Sequence, residues 1–130
     1  MSGSLVIMKR FLCVLGLAVV LGGCESESEP TLTIAKMTDI AEQGDADAQV
    51  ALGVIYATGS VVPKDEKEAV KWYRKAAEQR NATAQYSLGI MYYHGKGVAK
   101  DEVEAVKWIR KAAEQGLRPA KEALKELGVE

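Results

Sequence analysis

Apolar positions recur four apart along Ala46–Thr58: Ala48, Leu52 and Tyr56 form one stripe, with Gly53 beside Leu52. That spacing puts the side chains on one face of an α-helix, and the glycine leaves room for a second helix to press close. Along Asp65–Gln79 the stripe is Ala69, Trp72, Tyr73, Ala76 and Ala77, while Lys71, Arg74, Lys75 and Glu78 lie opposite and read as a solvated face. Both patterns return 36 residues later, first as Ala84, Leu88, Gly89 and Tyr92. The second stripe then follows as Ala105, Trp108, Ile109, Ala112 and Ala113, with Lys107, Arg110, Lys111 and Glu114 outside. Aligned without a gap, Ala46–Gln79 and Ala82–Gln115 are identical at 22 of 34 positions. A period of this length predicts stacked helix-turn-helix units, none of which buries its apolar face alone.

The unit boundaries carry their own chemistry. Asp45 and Asn81 are placed to cap the first helices. Asp65 and Asp101 are placed to cap the second, each with a glutamate three residues on (Glu68, Glu104) as in a capping box. Gly59 and Gly95 end the first helices, and Gly44 and Gly116 stand where a left-handed turn follows a second helix. Arg80 occupies that same place between the units, a departure expected to be locally unfavourable. Val62 and Val98 fall in the connecting loops, where an apolar side chain plugs the gap between helices.

The period runs past both full units. Ile40–Gln43 aligns with Ala76–Gln79, so Leu32–Gln43 reads as a second helix without its first. Ala120 and Leu124 align with Ala84 and Leu88, so Leu117–Leu127 reads as a first helix without its second; Pro119 falls in its first turn and Gly128 ends it. The expected fold is all-α: a short right-handed α-solenoid of stacked helix-turn-helix repeats with a disordered N-terminal tether. Its segments are a half-repeat over 32–45, repeats over 46–81 and 82–117, and a capping half-repeat over 118–130. Trp72 and Trp108 share one phase of the stripe and are expected in the core, the alternative being a carbohydrate-stacking role.

The N-terminus is built differently. Met8-Lys9-Arg10 is followed by an apolar run, Phe11–Leu21, and then Leu21-Gly22-Gly23-Cys24. Basic, apolar, then small residues is the order of a secretory signal, and Met8 begins a better-formed one than Met1. The apolar run is short of the roughly 20 residues a spanning helix needs. Leu-Gly-Gly-Cys resembles the lipobox of bacterial lipoproteins, which implies cleavage after residue 23 and acylation (palmitate among the chains) of Cys24. The alternative is an ordinary secretory signal with Cys24 unmodified. Each buried acyl CH₂ contributes about 0.8 kcal/mol, so two or more chains hold a small protein on a bilayer. Residues 24–31, beginning Cys-Glu-Ser-Glu-Ser-Glu-Pro, read as a flexible acidic linker. Cleavage leaves 107 residues with 15 basic against 18 acidic side chains, a net charge of −3 that argues against a nucleic-acid partner. Cys13 leaves with the signal and Cys24 is modified, so no thiol pair remains for a disulfide.

The pattern A-x-A-Q-x-x-L-G-x-x-Y-x-x-G-x-x-V-x-K-D-x-x-E-A-V-K-W-x-R-K-A-A-E-Q, met twice, resembles the Sel-one-like repeat, an α-solenoid relative of the tetratricopeptide repeat. Val61 departs from it, where Gly97 supplies the second loop glycine of the second unit, as does Arg80. The resemblance makes Leu52, Gly53, Tyr56, Gly59 and Trp72, with Leu88, Gly89, Tyr92, Gly95 and Trp108, structural positions. It implies an adaptor or scaffold role and no reaction. In the tetratricopeptide relatives the first helices line a concave face. By that analogy the candidate partner-binding residues are Asp47, Val50, Val54, Thr58, Thr83, Tyr86, Ile90, Tyr93 and His94. An exposed apolar strip of this kind often binds a partner. The alternative is that it packs on the flanking half-units.

Chemistry is sparse. His94 is the single histidine, so a zinc site built on paired histidines is excluded, and no cofactor or metal is expected. No Ser-x-x-Lys occurs, and His94-Gly95-Lys96-Gly97 lacks the spacing of a phosphate-binding loop. The expectation is a non-enzymatic scaffold that binds another protein or peptide, anchored in the bacterial cell envelope through Cys24. Glu25 after that cysteine resembles sorting to the periplasmic face of the outer membrane in preference to the inner. The alternatives are a regulatory or immunity-type lipoprotein that inhibits an envelope enzyme and, more remotely, a cell-wall-binding or β-lactam-hydrolysing protein.

Overall fold

Four side chains start four helices. Asp45, Asp65, Asn81 and Asp101 each sit in extended backbone and accept the N–H three residues on, at 2.7, 3.0, 3.0 and 2.9 Å. Each such cap is worth about 1 kcal/mol. The computed structural model describes residues 30–129, and among them six α-helices follow one another: α1 (Pro30–Glu42), α2 (Ala46–Thr58), α3 (Glu66–Glu78), α4 (Ala82–His94), α5 (Glu102–Glu114) and α6 (Arg118–Glu126). The signal segment 1–23, Cys24 and most of the linker 24–31 lie outside the described residues. The chain divides into two units after Thr33, and the repeats belong to the second, from Ile34 onward. The helix α1 begins at Pro30, inside the stretch assigned to the linker, because proline at a first helical position gives up no hydrogen bond.

The solenoid is all-α, each helix packing on the next: α2 on α3, α3 on α4, α4 on α5, α5 on α6. Its core forms three linked clusters. Ala41, Leu52 and Trp72 join α1, α2 and α3, with Ile34 and Met37 packed against them. Ala69, Val70, Tyr73, Ala76 and Ala77 meet Ala84, Leu88 and Met91 across the boundary between units. Ile109, Ala112 and Ala113 meet Ala120 and Leu124 at the C-terminal end. Leu52 and Leu88 are fully enclosed. The close approach of paired helices rests on glycine: a Cβ on Gly89 would stand 2.6 Å from Ile109 Cγ1 and 3.0 Å from the Ala105 carbonyl, and one on Gly53 would stand 2.5 Å from the Tyr73 ring. In α6 the corresponding position is Lys125, which is exposed.

Two expectations need correction. The capping boxes are one-sided. The Asp65 and Asp101 N–H groups donate to the Tyr56 and Tyr92 carbonyls, at 2.9 and 3.0 Å, so Glu68 and Glu104 turn outward to Lys71 and Lys107. The second correction concerns the tryptophans. Trp72 is 5 % exposed, enclosed with Ala41 and Leu52 under Ile34 and Met37, whereas Trp108 is only partly buried where it packs on the cluster of Ala77, Ala84 and Leu88. Arg80 takes a left-handed φ of 68°, as Gly44 and Gly116 do at 101° and 94°. Val98 plugs the core between units and Val62 is half-buried.

Candidate partner-binding face

Tyr86, Ile90 and His94 are four apart on α4 and form one ridge. On one side a groove of about 420 Å³ runs between α4 and α6, floored by Ile109 and walled by Tyr93, Ala123, Glu126 and Leu127. On the other a groove of about 450 Å³ runs between α4 and the first unit, walled by Ala57, Tyr73, Ser87 and Met91. Tyr86 and Ile90 line both and are half-buried, because their inner edges pack on the cluster of Ile109, Ala120 and Leu124. Tyr93 meets His94 edge-on, ring centroids 5.1 Å apart at 88°, and the Lys100 ammonium lies 5.9 Å from the Tyr93 centroid. This is an apolar ridge with two flanking clefts and polar ends, a shape suited to side chains of a partner.

The remaining candidates do not join it. Val50 is half-buried against the core, and Val54, 45 % exposed, is the one widely exposed apolar member of the set. Thr58 turns its hydroxyl back to the Val54 carbonyl at 2.8 Å. Asp47 accepts from Asn81 Nδ2 at 3.3 Å, a tie across the unit boundary, and Thr83 is exposed nearby. None of these five lines either groove. The strip expected from analogy is therefore uneven: its second-unit half forms the ridge, while in its first-unit half Val50 is half-buried and Asp47, Val54 and Thr58 stay exposed outside both grooves.

Sequence reading missed two sets of residues. Gln49 and Gln85, each 3 % exposed, sit in the first turns of α2 and α4. Gln49 donates to the Ala41 carbonyl at 2.8 Å and accepts from Gln79 at 2.9 Å; Gln85 donates to the Ala77 carbonyl at 3.2 Å and accepts from Gln115 at 2.8 Å. Their signal was the fixed register of glutamine in both units, which helical periodicity does not weigh. Arg74 likewise crosses between units to donate to Tyr92 Oη at 2.6 Å. Both indole Nε1 groups are buried without a hydrogen-bond partner, while Lys75 and Lys111 cover the rings at 4.3 and 4.2 Å.

Burial raises the Tyr73 phenol above its ordinary value, opposed by its hydrogen bond with Ser87. On the exposed face, the Glu68 hydrogen bond and charge raise Lys71. Among the described residues no three metal-ligating side chains converge, and no helix is long and apolar enough to cross a membrane.

Repeating helix pairs, tied by periodic glutamines and offering a flank rather than an enclosed site, define a class: an α-solenoid interaction module. The family model for the Sel1 repeat matches residues 46–81 and 82–117, and the chain belongs to the Sel1 repeat family. A Sel1 repeat protein from Oxalobacter formigenes is 46 % identical over 69 % of this chain and 68 % of its own, with a TM-score of 0.68. Cysteine rich protein B of Helicobacter pylori is 30 % identical over 76 % of this chain and 74 % of its own, with a TM-score of 0.70. A protective antigen of uropathogenic Escherichia coli with an SLR fold is 41 % identical over 75 % of this chain, with a TM-score of 0.73. This chain spans about a fifth (21 %) of that antigen's length. No curated protein sequence matches. Sel1 repeats generally mediate protein–protein binding, and the family is typically non-enzymatic.

Proposed function

We propose that this chain is an envelope-anchored interaction scaffold. In this reading acyl chains on Cys24 hold it in a bacterial cell envelope, at the periplasmic face of an outer membrane where two membranes exist. It carries out no reaction. The observation that supports it is the Tyr86–Ile90–His94 ridge with a groove on each side. Such a surface suits a partner protein or peptide that inserts apolar side chains on both flanks of α4, with Lys100 and Glu126 fixing orientation at the ends.

The test is crosslinking in intact cells followed by mass spectrometry. Tyr86→Ala with Ile90→Ala, and separately the exposed His94→Glu, should remove the same partners from the crosslinked set while helical circular dichroism is retained. A folded variant of either kind with an unchanged partner set sinks the reading.

A further inference from the structure

A third groove, of about 440 Å³, runs along the first half of α5 beside the segment that follows α6. Val103, Val106 and Val129 line it, and Glu102, Lys107 and Arg110 stand at its rim. Val103 is 69 % exposed, more than any other large apolar side chain among the described residues. The same face one unit earlier shows what is unusual. There Lys67 stands in the place of Val103, and Val70, the counterpart of Val106, is sealed at 5 %. The next unit's loop and helix close over it: Val98 packs on the cluster that holds Val70, and Arg74 donates to Tyr92 Oη at 2.6 Å. At α5 the Val129 carbonyl takes the place of Tyr92 Oη, accepting from Arg110 at 3.2 Å, and Val106 stays only half-buried. The more open of the two equivalent faces therefore carries the additional valine. An apolar side chain placed where solvent reaches furthest marks a surface that a partner covers.

The order of charges selects the partner. Along the outer face of α5 the carboxylates come first, Glu102 and Glu104, and the cations last, Lys107 and Arg110, with Val106 four residues from both Glu102 and Arg110. That face is complementary to itself when turned end for end. Laid antiparallel about an axis through Val106, two copies of α5 place Val106 against Val106 and each Glu102 beside the other copy's Arg110. The aliphatic stem of that arginine then rests on Val103. A parallel arrangement would set carboxylate on carboxylate and cation on cation. Present pairings leave this open: Lys100 and Glu102 meet at 3.1 Å with both side chains largely exposed, a contact exchanged at little cost. Arg110 gives one N–H of its guanidinium to Val129, and Lys107 is balanced within its own helix by Glu104 at 3.3 Å. The helix α3 has the same order of charges and lacks the apolar centre, since Val70 is sealed and Lys67 is charged.

We infer that this face of α5 is a self-association surface, on which a second copy of the chain docks its own α5 antiparallel about a two-fold axis through Val106. A two-fold contact of this kind uses one patch twice, so each apolar and charged contact occurs in duplicate. None of Tyr86, Ile90 and His94 lines the groove, and the pair of copies therefore offers two α4 ridges at once. A contact one helix wide is small beside the roughly 1,200 Å² of a standard interface, so the association is weak and concentration-dependent.

Cysteine crosslinking tests the axis directly. In the full chain carrying Cys13→Ser and Cys24→Ser, an introduced cysteine is the single thiol. With copper-phenanthroline as oxidant, Val106→Cys should give a disulfide-linked dimer about tenfold faster than Lys67→Cys, the exposed control on α3, because docking raises the effective concentration of the two thiols. Adding Val103→Lys, which installs the residue α3 carries at that place, should slow the Val106→Cys crosslink about tenfold, with the melting temperature showing that the protein stays folded. Glu102→Arg and Arg110→Glu should each slow it, and the two together in one chain should restore most of the rate by rebuilding both pairs with reversed sign. Equal rates at Val106→Cys and Lys67→Cys, a crosslink indifferent to Val103→Lys, or a charge-reversed double variant slower than either single one overturns the proposal. Variants on the α4 ridge leave these rates unchanged, so the partner-binding reading and this one fail or stand separately.

Discussion

The side-chain amide of Gln79 donates to Gln49 Oε1 at 2.9 Å across 30 residues, and Gln49 passes the tie on to the Ala41 carbonyl at 2.8 Å. Gln115, Gln85 and Ala77 repeat the relay one unit later. Each relay links the end of one unit's second helix, the start of the next unit's first helix and the end of that unit's second helix. A buried amide that is satisfied on both sides fixes the stacking register, which apolar contacts alone leave soft.

Gln49→Ala should therefore cost about 1–3 kcal/mol, because it strips partners from buried groups on two helices. Gln79→Ala should cost less, about 0.5–1.5 kcal/mol, since Gln79 is exposed and water can replace it. Urea unfolding of both variants and of the double variant reads the coupling. Additive effects at this pair would show that the relay is incidental to stability.

Gly89→Ala tests helix proximity. The added methyl meets Ile109 Cγ1 at 2.6 Å and the Ala105 carbonyl at 3.0 Å, and backbone cannot swing aside as a side chain can. Overpacking of about 1–3 kcal/mol is expected, outweighing the better helix propensity of alanine. An unchanged urea midpoint would mean that α4 and α5 separate without penalty.

The two tryptophans should not be equivalent. Trp72→Ala empties a site closed by α1, α2 and α3 and should cost about 3–5 kcal/mol. Trp108, partly exposed, should cost measurably less when cut to alanine. Thermal melts of the two variants side by side decide this, and equal losses contradict the difference in burial.

Tyr73 sets an alkaline limb. Its phenol is held above the ordinary value of 10.0 by burial, so the folded state keeps the proton to higher pH than the unfolded state. Its contribution is whole below about pH 10 and is lost as pH rises through the folded-state value. The stability of the wild type relative to Tyr73→Phe should be level up to about pH 9 and fall above 10. A difference that stays level through pH 11 or so would mean the ring is solvated.

Cys24→Ser tests the anchor. It removes the thiol to which acyl chains would attach, and the protein should move from the membrane fraction to the soluble fraction and lose labelling by radioactive palmitate. Labelling that persists in the serine variant contradicts acylation at this position.

How far the sequence could be read follows from which interactions are local. Caps were legible because Asp45, Asp65, Asn81 and Asp101 act within three residues of themselves. The outward turn of Glu68 was not, since it depends on the Tyr56 carbonyl arriving from another helix to take the Asp65 N–H. Val61 shows the same limit. Its counterpart Gly97 lies so close to the Glu66 backbone that a Cβ there would overlap the carbonyl, a constraint set by the preceding full unit and invisible within the loop's own residues.

By itself the sequence determined the class and phase of the fold: a 36-residue period, two stripes per unit, capped boundaries, half-units at both ends and an arginine where glycine is usual. Those follow from helix periodicity and short-range hydrogen bonding, which a chain carries without its neighbours. Only the tertiary structure decided that Trp108 stays partly open, that Tyr86 and Ile90 divide two grooves while Val50 lies half-buried against the core, and that four glutamines bind the units together. Exposure and pairing are properties of what the adjoining helices bring, and two repeats with nearly the same stripes meet different neighbours: Trp72 meets Ile34 and Met37, Trp108 the cluster around Ala77 and Leu88.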